Sequence, residues 1–92
     1  MLDAPLPDLI LYGRPGCGLC DEAREVLTAL LDARRSAGLK APILIERNIE
    51  TDPAWERAFF ATIPVVELAG RRLGPATSAA RVQRLLNDVL DA

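Results

Sequence analysis

The chain has 92 residues, half of them apolar and 26% charged, which suffices for one hydrophobic core and is too short for a second folding unit. Eleven Lys and Arg against thirteen Asp and Glu give a formal charge of −2, and without a basic run and with 4% aromatic residues the footprint of nucleic-acid binding is missing. Histidine is absent, which removes the usual general base and the usual nitrogen ligand for a metal, and two cysteines are too few for the multi-bridge framework of small secreted domains.

Residues 1–7 carry Pro5 and Pro7, which cannot donate to a ladder, so a loose lead-in to a single domain over 1–92 is expected. This segment has no basic n-region, and no run in the chain approaches membrane-spanning length; the expectation is a cytoplasmic protein without a membrane partner. Leu9 to Tyr12 is a short apolar run closed by Gly13, Pro15 and Gly16, which suits a buried strand ending in a turn. From about Gly18 the period changes. Ala23, Val26, Leu27, Leu30 and Leu31 repeat at helical spacing, Glu22, Arg24, Glu25, Thr28 and Asp32 take the other face, and Gly38 is the natural stop.

Pro42 to Ile49 reads as a second strand. Asp52 followed by Pro53 suits an N-cap and first helical position, predicting a short helix over about 54–61 with Trp55, Ala58 and Phe59 turned inward. Pro64 to Leu68 is a third strand, Ala69-Gly70-Arg71 a turn, and Arg72-Leu73 a brief fourth strand. A last helix from about Ser78, capped by Thr77 or Ser78, aligns Val82, Leu85, Leu86, Val89 and Leu90. The order is β-α-β-α-β-β-α. Helical crossovers join parallel strands, so this α/β arrangement needs a sheet covered on both faces.

Cys17 and Cys20 stand three apart at the start of the first helix, on one side of its first turn, where their sulfurs can come within bonding range. The first-turn N–H groups lack intrahelical acceptors and, with the helix dipole, favour a thiolate at the exposed cysteine. Arg14 adds a positive charge in the same loop, Asp21 and Glu22 oppose it, and Gly16 and Gly18 leave room for a second molecule to approach Cys17. Three readings follow: a redox couple, half of a metal site, or two small core residues. One chain lacks the ligands for zinc, whereas two chains could share four sulfurs around an iron–sulfur cluster.

YGRPGCGLC (Tyr12 to Cys20) and the later TIPVV (Thr62 to Val66) resemble the glutaredoxin-like branch of the thioredoxin superfamily, and the likeness covers nearly the whole chain. The resemblance implies a four-stranded mixed sheet flanked by three helices. It makes Cys17 the nucleophile, Cys20 the resolving cysteine and Pro64 a cis proline beside the sulfurs, with the backbone of Ile63 turned outward to pair with an extended substrate. Arg14 and Tyr12 join Ile63 and Pro64 as candidate substrate contacts, Tyr12 reading equally as a packed strand residue with a wet hydroxyl.

There are departures. Glutaredoxins usually carry a proline and an aromatic between the cysteines, where this chain has Gly18 and Leu19, and a Gly-Gly followed by an acid before the last helix, where it has LGPATSA (Leu73 to Ala79). The expected activity is thiol–disulfide exchange without a cofactor or a metal, by a monomer, with a disulfide-containing protein or glutathione as partner. Glutathione or a thioredoxin reductase is the candidate electron source. The alternatives are an iron–sulfur or metal carrier bridging two chains and an adaptor that keeps the thioredoxin fold without chemistry.

Overall fold

The computed structural model describes residues 5–91; the lead-in expected over 1–7 lies partly outside them, and residues 5–8 form neither helix nor strand. The elements are β1 (Leu9–Gly13), α1 (Gly18–Ser36), β2 (Leu44–Asn48), a 3-10 turn (Ile49–Thr51), α2 (Pro53–Phe59), β3 (Val65–Leu68), β4 (Arg71–Leu73) and α3 (Ala79–Leu90). The strands lie in the order β2-β1-β3-β4, with β1 parallel to β2 and antiparallel to β3, and β3 antiparallel to β4. This is the thioredoxin-like α/β fold with a mixed sheet and three helices. Among the described residues no helix is long and apolar enough to cross a membrane.

Side chains alternate across β1, so one short strand feeds two cores. Leu9 and Leu11 pack with Leu27 and Leu31 of α1, Val66 and Leu68 of β3, and Leu86 of α3. On the opposite face Tyr12 packs with Ile49, Phe59 and Val65, joined by Trp55 and Ile63. Leu9, Leu27, Ile49, Leu68 and Leu86 are at most 1% exposed, and burial of each side chain contributes roughly 1.5–3 kcal/mol.

Helix α1 buries Cys20, Ala23, Leu27 and Leu31 along one stripe, as its periodicity demands, and the stripe ends in a charge: Arg34, 6% exposed. That guanidinium is satisfied by the Lys40 carbonyl at 2.5 Å, Asn87 Oδ1 at 3.2 Å and the Asp91 carboxylate, which ties the end of α1 to the end of α3. The helix stops where expected. Gly38 has φ +71°, its N–H donates to the Arg35 carbonyl and the Leu39 N–H to the Arg34 carbonyl, a pairing that satisfies two carbonyls of the last turn.

Boundaries shift for local reasons. The second strand begins at Leu44, two residues later than expected, and ends where the Asn48 side chain accepts the Glu50 N–H at 2.9 Å and starts the 3-10 turn. Asp52 caps α2 through the Ala54 N–H at 2.8 Å with Pro53 behind it, as expected, but the helix ends at Phe59 rather than Ala61. Trp55 and Phe59, four apart, fill the sheet-facing stripe, so Ala58, expected inward, falls outside it and is exposed. Ser78, not Thr77, caps α3, accepting the Arg81 N–H at 3.3 Å.

The hairpin between β3 and β4 has a two-residue turn with Ala69 at φ 51° and Gly70 at φ 78°, so β4 starts at Arg71, one residue earlier than expected. Two successive positive φ values match the right-handed twist of the strands, but an alanine pays a Cβ clash there that asparagine largely avoids. Ala69→Asn should stabilise the protein by up to about 1 kcal/mol, read as a higher urea midpoint with an unchanged slope.

Candidate functional site

The sheet delivers its chain to the site through Gly13, the last residue of β1, and the loop Arg14-Pro15-Gly16, in which Gly16 takes φ 75°. Cys17 follows in extended conformation as the N-cap of α1. Its Sγ stands where a serine or aspartate oxygen usually sits and accepts the Cys20 N–H at 3.1 Å, while its carbonyl accepts the Asp21 N–H at 3.1 Å. The Cα atoms of Cys17 and Cys20 are 5.2 Å apart and the two sulfurs are joined in a disulfide. The pair is asymmetric. Cys17 is half-buried at the lip, whereas Cys20 is 2% exposed, one turn inside.

Gly13 explains how Cys20 comes to lie there. A Cβ at this position would meet Cys20 Sγ at 3.0 Å and Cys20 Cβ at 3.1 Å, so the strand end must be bare backbone for the sulfur to seat against it. From the sequence Gly13 reads only as the end of a strand, and the one signal of its role is a glycine abutting the cysteine loop. Continuing the β1–β3 register by one step from Tyr12↔Val65 sets Pro64 beside Gly13. Pro64 is buried and the Ile63–Pro64 bond is cis, in agreement with the resemblance; the Gly74–Pro75 bond is cis as well. The Pro64 carbonyl accepts the Ala76 N–H at 2.6 Å, and a Cβ at Gly74 would meet Val65 Cγ2 at 3.0 Å, so the loop before α3 is packed against the proline.

One expectation about Ile63 needs correction. Its N–H is not free for a substrate: it donates to the Phe59 carbonyl at 3.1 Å, beside the Thr62 N–H at 2.9 Å, because the end of α2 leaves that carbonyl without a helical donor. Its carbonyl has no backbone partner among the described residues.

Arg14 is exposed and unpaired among the described residues, and it lines a groove of about 340 Å³ with Gly13, Pro15, Cys20, Arg24 and Glu46. Arg24 bridges Asp21 at 3.1 Å and Glu46 at 2.5 Å, an exposed link between α1 and β2 that partly compensates the Asp21 charge near the sulfurs. Tyr12 is elsewhere. It is 6% exposed on the opposite face of β1, its ring 4.4 Å from Phe59 and 5.8 Å from Trp55, so it serves the core. Among the described residues no three His, Cys, Asp or Glu side chains gather into a metal-ligand group.

A family model, glutaredoxin-like domain (DUF836), matches residues 8–89. The chain belongs to the glutaredoxin-like family. Among solved structures it is similar to target protein XcR50 from X. campestris, at 32% identity over 87% of this chain and 96% of that one, with a TM-score of 0.69. Two further likenesses concern the fold alone: the thioredoxin-like protein BC3987, 19% identical over 87% and 100% of the chains with a TM-score of 0.60, and mitochondrial thioredoxin 3 from Saccharomyces cerevisiae in its oxidized form, 15% identical over 91% and 79% with a TM-score of 0.63. No curated protein matches.

Two outcomes follow for this glutaredoxin-like site. Gly13→Ala forces a shift of Cys20 or of β1, and should cost about 1–3 kcal/mol in the oxidised protein and less in the reduced one, whose Cys20 sulfur can turn aside; paired urea melts measure both. Burial, and after it the Glu67 charge, raises the Tyr12 pKa above 10.0, against the lowering influence of Arg72 and Arg47. The folded state then holds the phenol proton more tightly than the unfolded state. The resulting stability is fully present below about pH 10 and is lost as pH rises through the folded value. Tyr12 is the sole tyrosine, so near-ultraviolet absorbance titration reads it directly: the native midpoint should lie above 10.0 and return to it in denaturant.

Proposed function

We propose that the chain is a small thiol–disulfide oxidoreductase working through the Cys17–Cys20 pair, and that a lip-and-floor arrangement of the two sulfurs at one helix N-terminus carries this reading. In the reduced protein the first-turn N–H groups and Arg14 favour a thiolate on Cys17, the accessible sulfur. That thiolate attacks one sulfur of a substrate disulfide. A Cys17–substrate bond forms, the substrate S–S bond breaks, and the second substrate sulfur leaves as a thiolate. Cys20, deprotonated in turn, attacks Cys17 Sγ, displaces the remaining substrate sulfur and closes the Cys17–Cys20 bridge. Two electrons pass to the substrate and two protons end on its thiols.

The bridge is then reopened by an external thiol, glutathione or a thioredoxin reductase. No histidine, metal or bound cofactor enters any step. A monomer acting in the cytoplasm on a protein disulfide is the fuller form of the proposal. An extended substrate segment lies along Ile63 and Pro64, held through the Ile63 carbonyl because its N–H is occupied, with Leu19, 52% exposed, as an apolar contact beside the sulfurs.

Alkylation and turnover test it together. Reduced protein should react with iodoacetamide at Cys17 with a midpoint below the ordinary thiol value of about 8.5. Cys17→Ser should abolish reduction of a model disulfide, and Cys20→Ser should trap the mixed disulfide, detectable by mass spectrometry. Turnover that survives Cys17→Ser, or a Cys17 that titrates like free cysteine, would refute the assignment.

A further inference from the structure

The side of the molecule away from β2 carries a feature that the disulfide chemistry does not use. Strand β4 is the end of the sheet, with one edge unpaired by any other strand among the described residues. Between it and α3 runs a groove of about 340 Å³ lined by Arg71, Arg72, Leu73, Arg81, Arg84, Leu85 and Asp88. All three residues of β4 border the groove, and the register decides which of their side chains point into it. Arg71 is opposite Leu68 and Leu73 opposite Val66, both on the α3 side, so these two point into the groove. Arg72, opposite Glu67, turns to the other face, where its Nε donates to Glu67 at 2.6 Å and its guanidinium lies 5.1 Å from the Phe59 ring centroid.

Within the groove three guanidinium groups meet one carboxylate, and that one only loosely, Asp88 lying 3.8 Å from Arg71. Arg81 and Arg84, on successive turns of α3, make no ion pair and no side-chain hydrogen bond among the described residues. This excess of positive charge stands on a chain whose formal charge is −2. Charged residues on an edge strand are a common guard against sheet-to-sheet aggregation, and that accounts for Arg71 and Arg72. It does not account for Arg81 and Arg84, which lie on the helix and leave the strand edge uncovered.

We propose that the free edge of β4 and the arginine flank of α3 form a docking groove for an extended acidic segment of a partner protein. Such a segment adds a strand beside β4 through main-chain hydrogen bonds. Its alternate side chains then point to the α3 side, where carboxylates meet Arg71, Arg81 and Arg84 in the bidentate geometry that guanidinium groups favour. Leu73 and Leu85 form the apolar floor. The chain itself connects β4 to the candidate site: it runs through Gly74 and Pro75 to Ala76, whose N–H is bonded to the Pro64 carbonyl.

Fluorescence anisotropy of a labelled peptide of alternating glutamate and threonine, titrated with the full chain at low ionic strength, is the test. Saturable binding is expected, with amide shifts in NMR spectra centred on residues 71–73 and the facing side of α3. Arg81→Glu combined with Arg84→Glu should weaken binding at least about tenfold. The neutral pair Arg81→Gln and Arg84→Gln should weaken it less, and added salt should weaken it throughout. Both positions are exposed, so turnover of a small model disulfide should be unchanged in these variants. No binding by the parent chain, equal binding by the charge-reversed pair, tighter binding of a lysine-for-glutamate peptide, shifts centred on the Arg14 groove, or preferential binding of anionic lipid vesicles would each overturn the proposal. The peptide readout involves no thiol, so its failure and a failure of the disulfide chemistry are separate results.

Discussion

Everything at the candidate site depends on one contact, the seating of Cys20 against the bare backbone of Gly13. It fixes how closely the first turn of α1 approaches the carboxyl end of β1, and thereby where the second sulfur sits. With Cys20 held on the floor, Cys17 as N-cap has to project at the lip, still linked to its partner through the N–H of Cys20 and the shared disulfide. The accessible sulfur and the sheltered one are thus consequences of a single close approach between a strand end and a helix start.

Helix α1 is secured at its far end by a different kind of force. Arg34 is buried, and a buried guanidinium is tolerated only if its donors are paired; the Lys40 carbonyl, Asn87 and Asp91 satisfy it. Between these anchors the apolar stripe of α1 lies on Leu9, Leu11 and Leu68, and Arg24 adds an exposed link to Glu46. An exposed ion pair contributes at most about 1 kcal/mol, so the hydrophobic stripe and the buried arginine set the position of the helix, and Arg24 chiefly trims the charge around the sulfurs.

The surface divides accordingly. The end of the molecule where β1 and β2 finish presents the disulfide, the Arg14 groove and the loop around Pro64. The β4–α3 flank presents the guanidinium groups of Arg71, Arg81 and Arg84 against the single carboxylate of Asp88. Under the proposed thiol–disulfide exchange only brief encounters are needed, and unmatched positive charge on the surface raises the rate of encounter with an acidic partner without burying either molecule. The two regions are joined by the Gly74–Ala76 segment, which is packed on Thr62 and Val65 and bonded to Pro64.

Much of this was legible in the chain itself. The order of strands and helices follows from periods of two and 3.6, and the caps at Asp52, Ser78 and Gly38 follow from side chains or backbone freedom that act within a few residues of themselves. The cysteine pair at a helix start was visible for the same reason, since spacing along one turn is a local property. What the sequence could not supply were relations between distant segments. Gly13 looked like an ordinary strand terminus until Cys20 was packed on it, and Tyr12 is directed into the second core by the pleat of a strand whose two faces both carry apolar residues. The Ile63 N–H is claimed by a helix end four residues upstream, and Arg34 and Asp91 find each other across 57 residues. Propensity and period act over a turn or a pleat and so can be read along the chain, whereas close packing and the pairing of buried charge exist only once the folded chain has brought those groups together.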